Sequence, residues 1–175
     1  MRIMIDEREK PLSEVTPMIA KQGFVVLAGT EQRVQIDPSM STSISARIEA
    51  GGMLSVIIAG VVNEDISITR RVELVGRDAK VELLAACMIA PGVTFRCDDD
   101  VRVRASGTTC TIDDRCVAQG ESKAIVRQRV VVDQDIVDAT IETSVRGMLL
   151  GDGARIRAIP ELHIASNLVR AKHAV

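Results

Sequence analysis

The sequence predicts an all-β protein, and three observations carry that expectation. Val and Ile number 22 and 18 of the 175 residues, and branching at Cβ suits a pleated, half-buried surface. Beyond residue 23 no helical period survives; apolar residues instead recur every second position in short runs. Those runs are separated by Gly, Asn, Asp and Ser clusters at turn spacing.

Taken in order, residues 11–22 (Pro-Leu-Ser-Glu-Val-Thr-Pro-Met-Ile-Ala-Lys-Gln) predict at most a short helix ended by Gly23. The chain therefore divides into an N-terminal segment, 1–23, and a β core, 24–175. Phe24 to Leu27 and Arg33 to Ile36 read as strands around Gly29-Thr30-Glu31. Alternation then marks Leu54, Val56 and Ile58; Val72 and Leu74; Val81, Leu83 and Ala85; and Val101 and Val103. It continues through Val126, Val130 and Val132, then Ile141, Thr143 and Val145, then Leu162 and Ile164. The separating turns fall at Gly51-Gly52, Asn63-Glu64-Asp65, Gly76-Arg77-Asp78, Pro91-Gly92, Asp98-Asp99-Asp100, Ser106-Gly107, Gly120 and Gly151-Asp152-Gly153. About a dozen strands without helices between them fit a sandwich, a barrel or a solenoid.

Internal similarity favours stacked coils. Gly76-Arg77-Asp78-Ala79-Lys80-Val81-Glu82-Leu83 resembles Gly151-Asp152-Gly153-Ala154-Arg155-Ile156-Arg157-Ala158, 75 residues on, a spacing of about three turns with coils near 25 residues. Arg-x-Arg recurs at 102/104, 127/129 and 155/157, where stacking would line arginines along one outer face among acids. Plain solvent exposure of Arg between Val residues explains the same pattern.

Composition and charge exclude several functions. Two Phe and no Tyr or Trp leave no flat rings for sugar, single-stranded nucleic acid or flavin. Lys and Arg total 22 against 24 Asp and Glu, so there is no bulk attraction to nucleic acid or anionic membrane. No apolar run, residues 56–62 included, is long enough to span a bilayer. The N-terminus is charged where a signal peptide needs an apolar stretch, which places the protein in the cytoplasm with Cys87, Cys97, Cys110 and Cys116 as reduced thiols.

The C-terminal third carries a resemblance. Ser122-Lys123-Ala124-Ile125-Val126-Arg127-Gln128-Arg129-Val130-Val131-Val132 leads to Met148-Leu149-Leu150-Gly151-Asp152-Gly153-Ala154. Pro160-Glu161-Leu162-His163-Ile164 and Val169-Arg170-Ala171-Lys172-His173-Ala174 follow. In order and spacing this resembles the SufB/SufD family of iron–sulfur cluster assembly proteins. The resemblance implies a right-handed parallel β-helix, in agreement with the coil spacings. It also implies a non-enzymatic, scaffold-related or accessory subunit that handles an iron–sulfur cluster or iron transiently. Its implied partners are a second copy or a longer SufB/SufD-like subunit, and an ABC-type ATPase.

His173 matches the family's late histidine, and an imidazole nitrogen suits iron. The alternation of Val169 and Ala171 puts His173 on the sheltered side, whereas His163, between Leu162 and Ile164, turns outward. Two departures stand against a full scaffold. Val145 occupies the position of a family cysteine, and Lys172 and Ala174 replace acidic neighbours of the late histidine. The sequence also ends two residues past His173, where the resemblance implies a helical segment that docks the ATPase.

No Cys-x-x-Cys pair marks a metal site, but stacking by about one coil would bring Cys87 towards Cys110 or Cys116. Cys110 and Cys116 are accordingly candidate ligands beside His173; the competing reading is buried, inert thiols. Asp98-Asp99-Asp100 and Asp113-Asp114 fit no calcium-loop spacing and read as turn chemistry. No phosphate loop or activated nucleophile appears. The rival to cluster assembly is an interaction module that kept the fold and lost the metal chemistry; a polysaccharide enzyme is disfavoured by the missing aromatics.

Overall fold

Period-two alternation survives in three dimensions as strands whose inner faces all meet in one core. The computed structural model describes residues 5–6 and 21–175. Its strands are β1 (Ile5–Asp6), β2 (Lys21–Val26), β3 (Glu31–Ile36), β4 (Thr42–Ile48), β5 (Met53–Val62), β6 (Ile66–Leu74), β7 (Lys80–Ile89), β8 (Thr94–Val103), β9 (Thr109–Gln119), β10 (Lys123–Val132), β11 (Ala139–Leu150), β12 (Arg155–Ile164) and β13 (Val169–Ala174). Odd-numbered strands form one sheet (sheet A) and even-numbered strands the other (sheet B). Every pairing is parallel except β1 with β3. Each coil thus contributes one strand to each sheet, and the chain makes a β-solenoid of about five turns. Among the described residues there is no helix.

The expected coil of about 25 residues is only an average of a widening spiral. Lys21 lies beside Ser43, 22 residues on, Lys80 beside Thr109, 29 on, and Lys123 beside Arg155, 32 on. The longer coils follow from longer strands, because β2 has 6 residues and β9 has 11. The similar segments at Gly76 and Gly151 lead into β7 and β12, which belong to opposite sheets. They are therefore two and a half turns apart, not three. Of the proposed helix, residues 11–20 lie outside the described residues, while Lys21 to Gly23 are part of strand β2.

Stacking in register builds columns of similar side chains along the interior. Ala46, Val72, Val101, Val130 and Leu162 form one column of sheet B. Branched aliphatics of matching height keep neighbouring coils about 4.8 Å apart without voids. Phe95 is the one fully buried ring, and its column continues with Ala124 in the next coil, so a small residue offsets the large one. The three Arg-x-Arg pairs do share the outer side of sheet B, interleaved with acids: Arg127 with Glu161 at 3.0 Å, Arg102 with Asp133 at 3.0 Å and Arg129 with Asp100 at 3.7 Å. Such exposed pairs are screened by water and add little to stability.

The turns stack as tightly as the strands. A Cβ on Gly76 would lie 1.9 Å from the backbone nitrogen of Ala50 in the preceding coil, so only glycine lets these turns approach. Gly76→Ala is expected to destabilise the protein by about 1–3 kcal/mol through backbone displacement, lowering the thermal midpoint by several degrees. A melting curve identical to that of the parent would contradict this packing.

Candidate functional site: a buried charged layer and an open last coil

Alternation places four polar side chains where the core requires apolar ones. Arg70 follows Ile66 and Ile68 on the inner face of β6, and Asp99 follows Phe95 and Cys97 on β8. Asp114 sits between Ile112 and Cys116 on β9, and Gln128 between Val126 and Val130 on β10. Register then stacks Arg70 beside Asp99 and Asp99 beside Gln128 in sheet B. All four are buried to within 1% of complete.

Arg70 joins the two walls of the solenoid. Its Nε donates to Asp99 Oδ1 at 2.6 Å and its Nη2 to Asp99 Oδ2 at 2.7 Å, a forked pair within sheet B. The same Nη2 donates across the interior to Asp114 Oδ1 at 2.8 Å, and Nη1 donates to the Leu84 carbonyl at 3.1 Å. Gln128 Nε2 completes the crossing, donating to Asp114 Oδ2 at 2.7 Å and to the Ser144 carbonyl at 2.9 Å. An arginine stays protonated and matches a carboxylate with two parallel bonds. Burial pushes the Asp99 carboxyl well above its ordinary range; Arg70 opposes that shift and the neighbouring Asp114 adds to it. The two carboxylates share one fixed guanidinium between them.

These residues overturn the reading of the acidic runs as turns. Residues 98–100 and 113–114 lie inside β8 and β9. Their sheltered members, Asp99 and Asp114, are tolerated because Arg70 supplies the counter-charge. Cys97 Sγ, 3.6 Å from Arg70 Nη2, belongs to the same layer. Ligand atoms of Cys97, Asp99 and Asp114 lie within 4.8 Å of one another, the donor set of a metal site. The guanidinium already stands among them at hydrogen-bond distance, so the cation of this layer is Arg70.

All four cysteines are free and buried. Cys87 and Cys116 are register partners on β7 and β9, the one-coil approach anticipated from the spacing. Burial pushes the thiols of Cys87, Cys110 and Cys116 up to about 12. Cys97 is likewise raised, by burial first and by Asp99, against the pull of Arg70. Protonated thiols are poor nucleophiles and poor ligands.

His173 sits apart from them. It lies on β13 beside Thr143 of β11, and Thr143 Oγ1 is 2.6 Å from its Nδ1. Its Nε2 is sheltered and has no hydrogen-bond partner among the described residues. As the alternation required, His173 is half-buried on the side of Val169, while His163 is 60% exposed with Glu161 3.9 Å away. Cys110 registers with Ile141 and Ala171, Ile112 with Thr143 and His173. The candidate ligands His173 and Cys110 are therefore two strands apart, roughly 10 Å along the stack, with Cys116 six residues further along β9. Val145 is buried beside Asp114, two residues from Thr143. The last coil leaves its inward-pointing side chains partly or fully exposed, among them Ile156, Pro160 and Ala171.

The stacked coils, with a half-buried histidine on the last described strand, can then be compared with known families. The family described as "SUF system FeS cluster assembly, SufBD core domain" matches residues 7–175. The chain belongs to the SufBD core-domain family. No curated protein matches it. As a SufBD core domain it belongs to an iron–sulfur cluster assembly family, as the C-terminal motifs implied. No described helix is long and apolar enough to cross a membrane.

The buried layer escaped the sequence reading although its signal was present: Arg70, Asp99, Asp114 and Gln128 each interrupt an otherwise apolar period-two column. The folded protein is expected to resist thiol alkylation. At pH 8 the thiols should react about a thousandfold more slowly than a free cysteine, because their thiolate fraction falls by that order. Denaturant should release all four. One thiol alkylating at the free rate without unfolding would contradict the closed interior.

Proposed function

We propose that this protein acts in iron–sulfur cluster assembly as a scaffold-related or accessory subunit, without enzymatic turnover of its own. Family membership supports the process; the placement of His173 supports the role. Its Nδ1 is held by Thr143 while the sheltered Nε2 has no partner among the described residues, which leaves one imidazole nitrogen uncommitted as a ligand for iron once the end coil opens to it. The cluster is cargo in this reading, and one imidazole cannot hold it alone. The remaining ligands come from a partner docked on the open last coil, either a second copy or a longer SufB/SufD-like subunit. Unpaired strand edges and exposed inner side chains favour such docking. An ABC-type ATPase belongs to the same proposal, as does a cytoplasmic location.

A second reading follows from Val145 and the protonated thiols. With an apolar residue at the family's cysteine position and four buried cysteines, the protein is an interaction module that shares the coil architecture and has no cluster chemistry.

Anaerobic reconstitution with iron and sulfide separates the two. The first reading expects a visible-range cluster absorption that falls at least several-fold in His173→Ala, with the far-ultraviolet dichroism unchanged. Val145→Cys, which adds a thiol near His173, is expected to strengthen it. No chromophore, or one indifferent to His173→Ala and to replacement of all four cysteines by Ser, selects the second reading. Copurification of an ABC-type ATPase with the full chain tests the wider complex.

A further inference from the structure

Thr143 lies on the inner face of β11 and is 3% exposed. Its neighbours on that face are apolar: Ile141 and Val145 along β11, and Ile112 beside it on β9. Among the described residues its hydroxyl meets one polar side-chain atom, Nδ1 of His173, at 2.6 Å.

The direction of this bond follows from the protons available. A hydroxyl has one proton to donate, and a neutral imidazole carries its proton on one nitrogen only. If Nδ1–H donates to Thr143 Oγ1, the buried hydroxyl proton lacks an acceptor and the sheltered Nε2 lacks a donor. If the hydroxyl donates to Nδ1, the Nε2–H alone is left unpaired. The second arrangement strands fewer buried groups and costs less. The length agrees with it, because bonds from hydroxyl donors run from about 2.5 Å whereas those from N–H to oxygen start near about 2.7 Å.

We propose that Thr143 is the positioning residue of His173 and sets its resting tautomer, with the ring proton on Nε2. What this tautomer regulates rests on the reading of His173 as an iron ligand. At rest Nε2 offers no lone pair, so the histidine is closed to stray metal ions. For Nε2 to take iron, its proton must leave and the neutral ring must carry it on Nδ1. Thr143 Oγ1 then turns from donor to acceptor, since a hydroxyl serves either role. One side chain thus holds the ring in both states, and the ring's charge does not change.

Nitrogen-15 resonance of the full chain, labelled at histidine, reads the tautomer without metal under mildly alkaline conditions, where an ordinary histidine is neutral. The chain has two histidines, so His163→Asn assigns the signals of His173. The expected spectrum shows a protonated Nε2 and an unprotonated Nδ1 coupled to the Thr143 hydroxyl proton. Thr143→Ser should keep both features; Thr143→Val should lose the coupling and lower the Nε2–H population, with circular dichroism unchanged. After anaerobic reconstitution, Thr143→Val is expected to hold iron about tenfold less well against a chelator, and Thr143→Ser as well as the parent does. A parent with its proton on Nδ1 would overturn the proposal, as would a Thr143→Val protein with the parent's spectrum and iron retention. The tautomer is read without metal, so failure to take up iron sinks the cluster reading and leaves the resting tautomer standing, whereas the wrong tautomer sinks this inference alone.

Discussion

One guanidinium, sealed from water, fixes the relation between the two walls of this solenoid. Stacked aliphatic columns hold coil to coil, but they tolerate sliding, since one Val resembles the next. Arg70 does not tolerate it. Its forked pair with Asp99 sets the register of β6 against β8, and its bonds to Asp114 and Leu84 set sheet B against sheet A. Gln128 extends the same lock to β10 and β11. Burying these charges costs several kcal/mol per ion, so their gain is a unique alignment more than added stability. The aliphatic layers above and below supply the stability.

That alignment governs what the molecule can do. With its interior close-packed, its buried charges paired with one another and its thiols protonated, chemistry at the middle coils requires opening the structure. The last described coil differs: Pro160 and Ala171 on its inner face are exposed, and it holds His173 through Thr143 with Nε2 unpartnered among the described residues. In the reading proposed above, the stacked coils of this SufBD core domain hold His173 where a partner completes a ligand set.

Much of the architecture was legible in the residues. Period-two runs gave strands because one face of each is buried, and the shortage of large rings followed from columns that keep a constant height. The orientations of His163 and His173 followed from the same parity. Other features were not legible. Asp98-Asp99-Asp100 reads locally as a turn because three acids rarely share a strand; only Arg70, 29 residues away in sequence, makes Asp99 tolerable inside. The widening of the coils was hidden because a mean repeat conceals a trend. The half-turn displacement of the similar Gly76 and Gly151 segments was hidden because two sheets built on one pattern look alike in sequence. The parity of the polar residues was the available clue to the buried layer. Apolar neighbours on both sides of Arg70, Asp114 and Gln128 place all three on inner faces.

The account rests on Arg70 acting with its acids as one unit, which a double-mutant cycle measures directly. Stability would be determined by urea unfolding for the parent, Arg70→Met, Asp99→Leu and the double variant. Removing the cation alone strands two acids and is predicted to cost about 3–5 kcal/mol. The double variant is predicted to lose at least about 2 kcal/mol less than the sum of the single losses. Additivity to within about 0.5 kcal/mol would show that Arg70 and Asp99 do not act together, and would contradict the central role given to this buried layer.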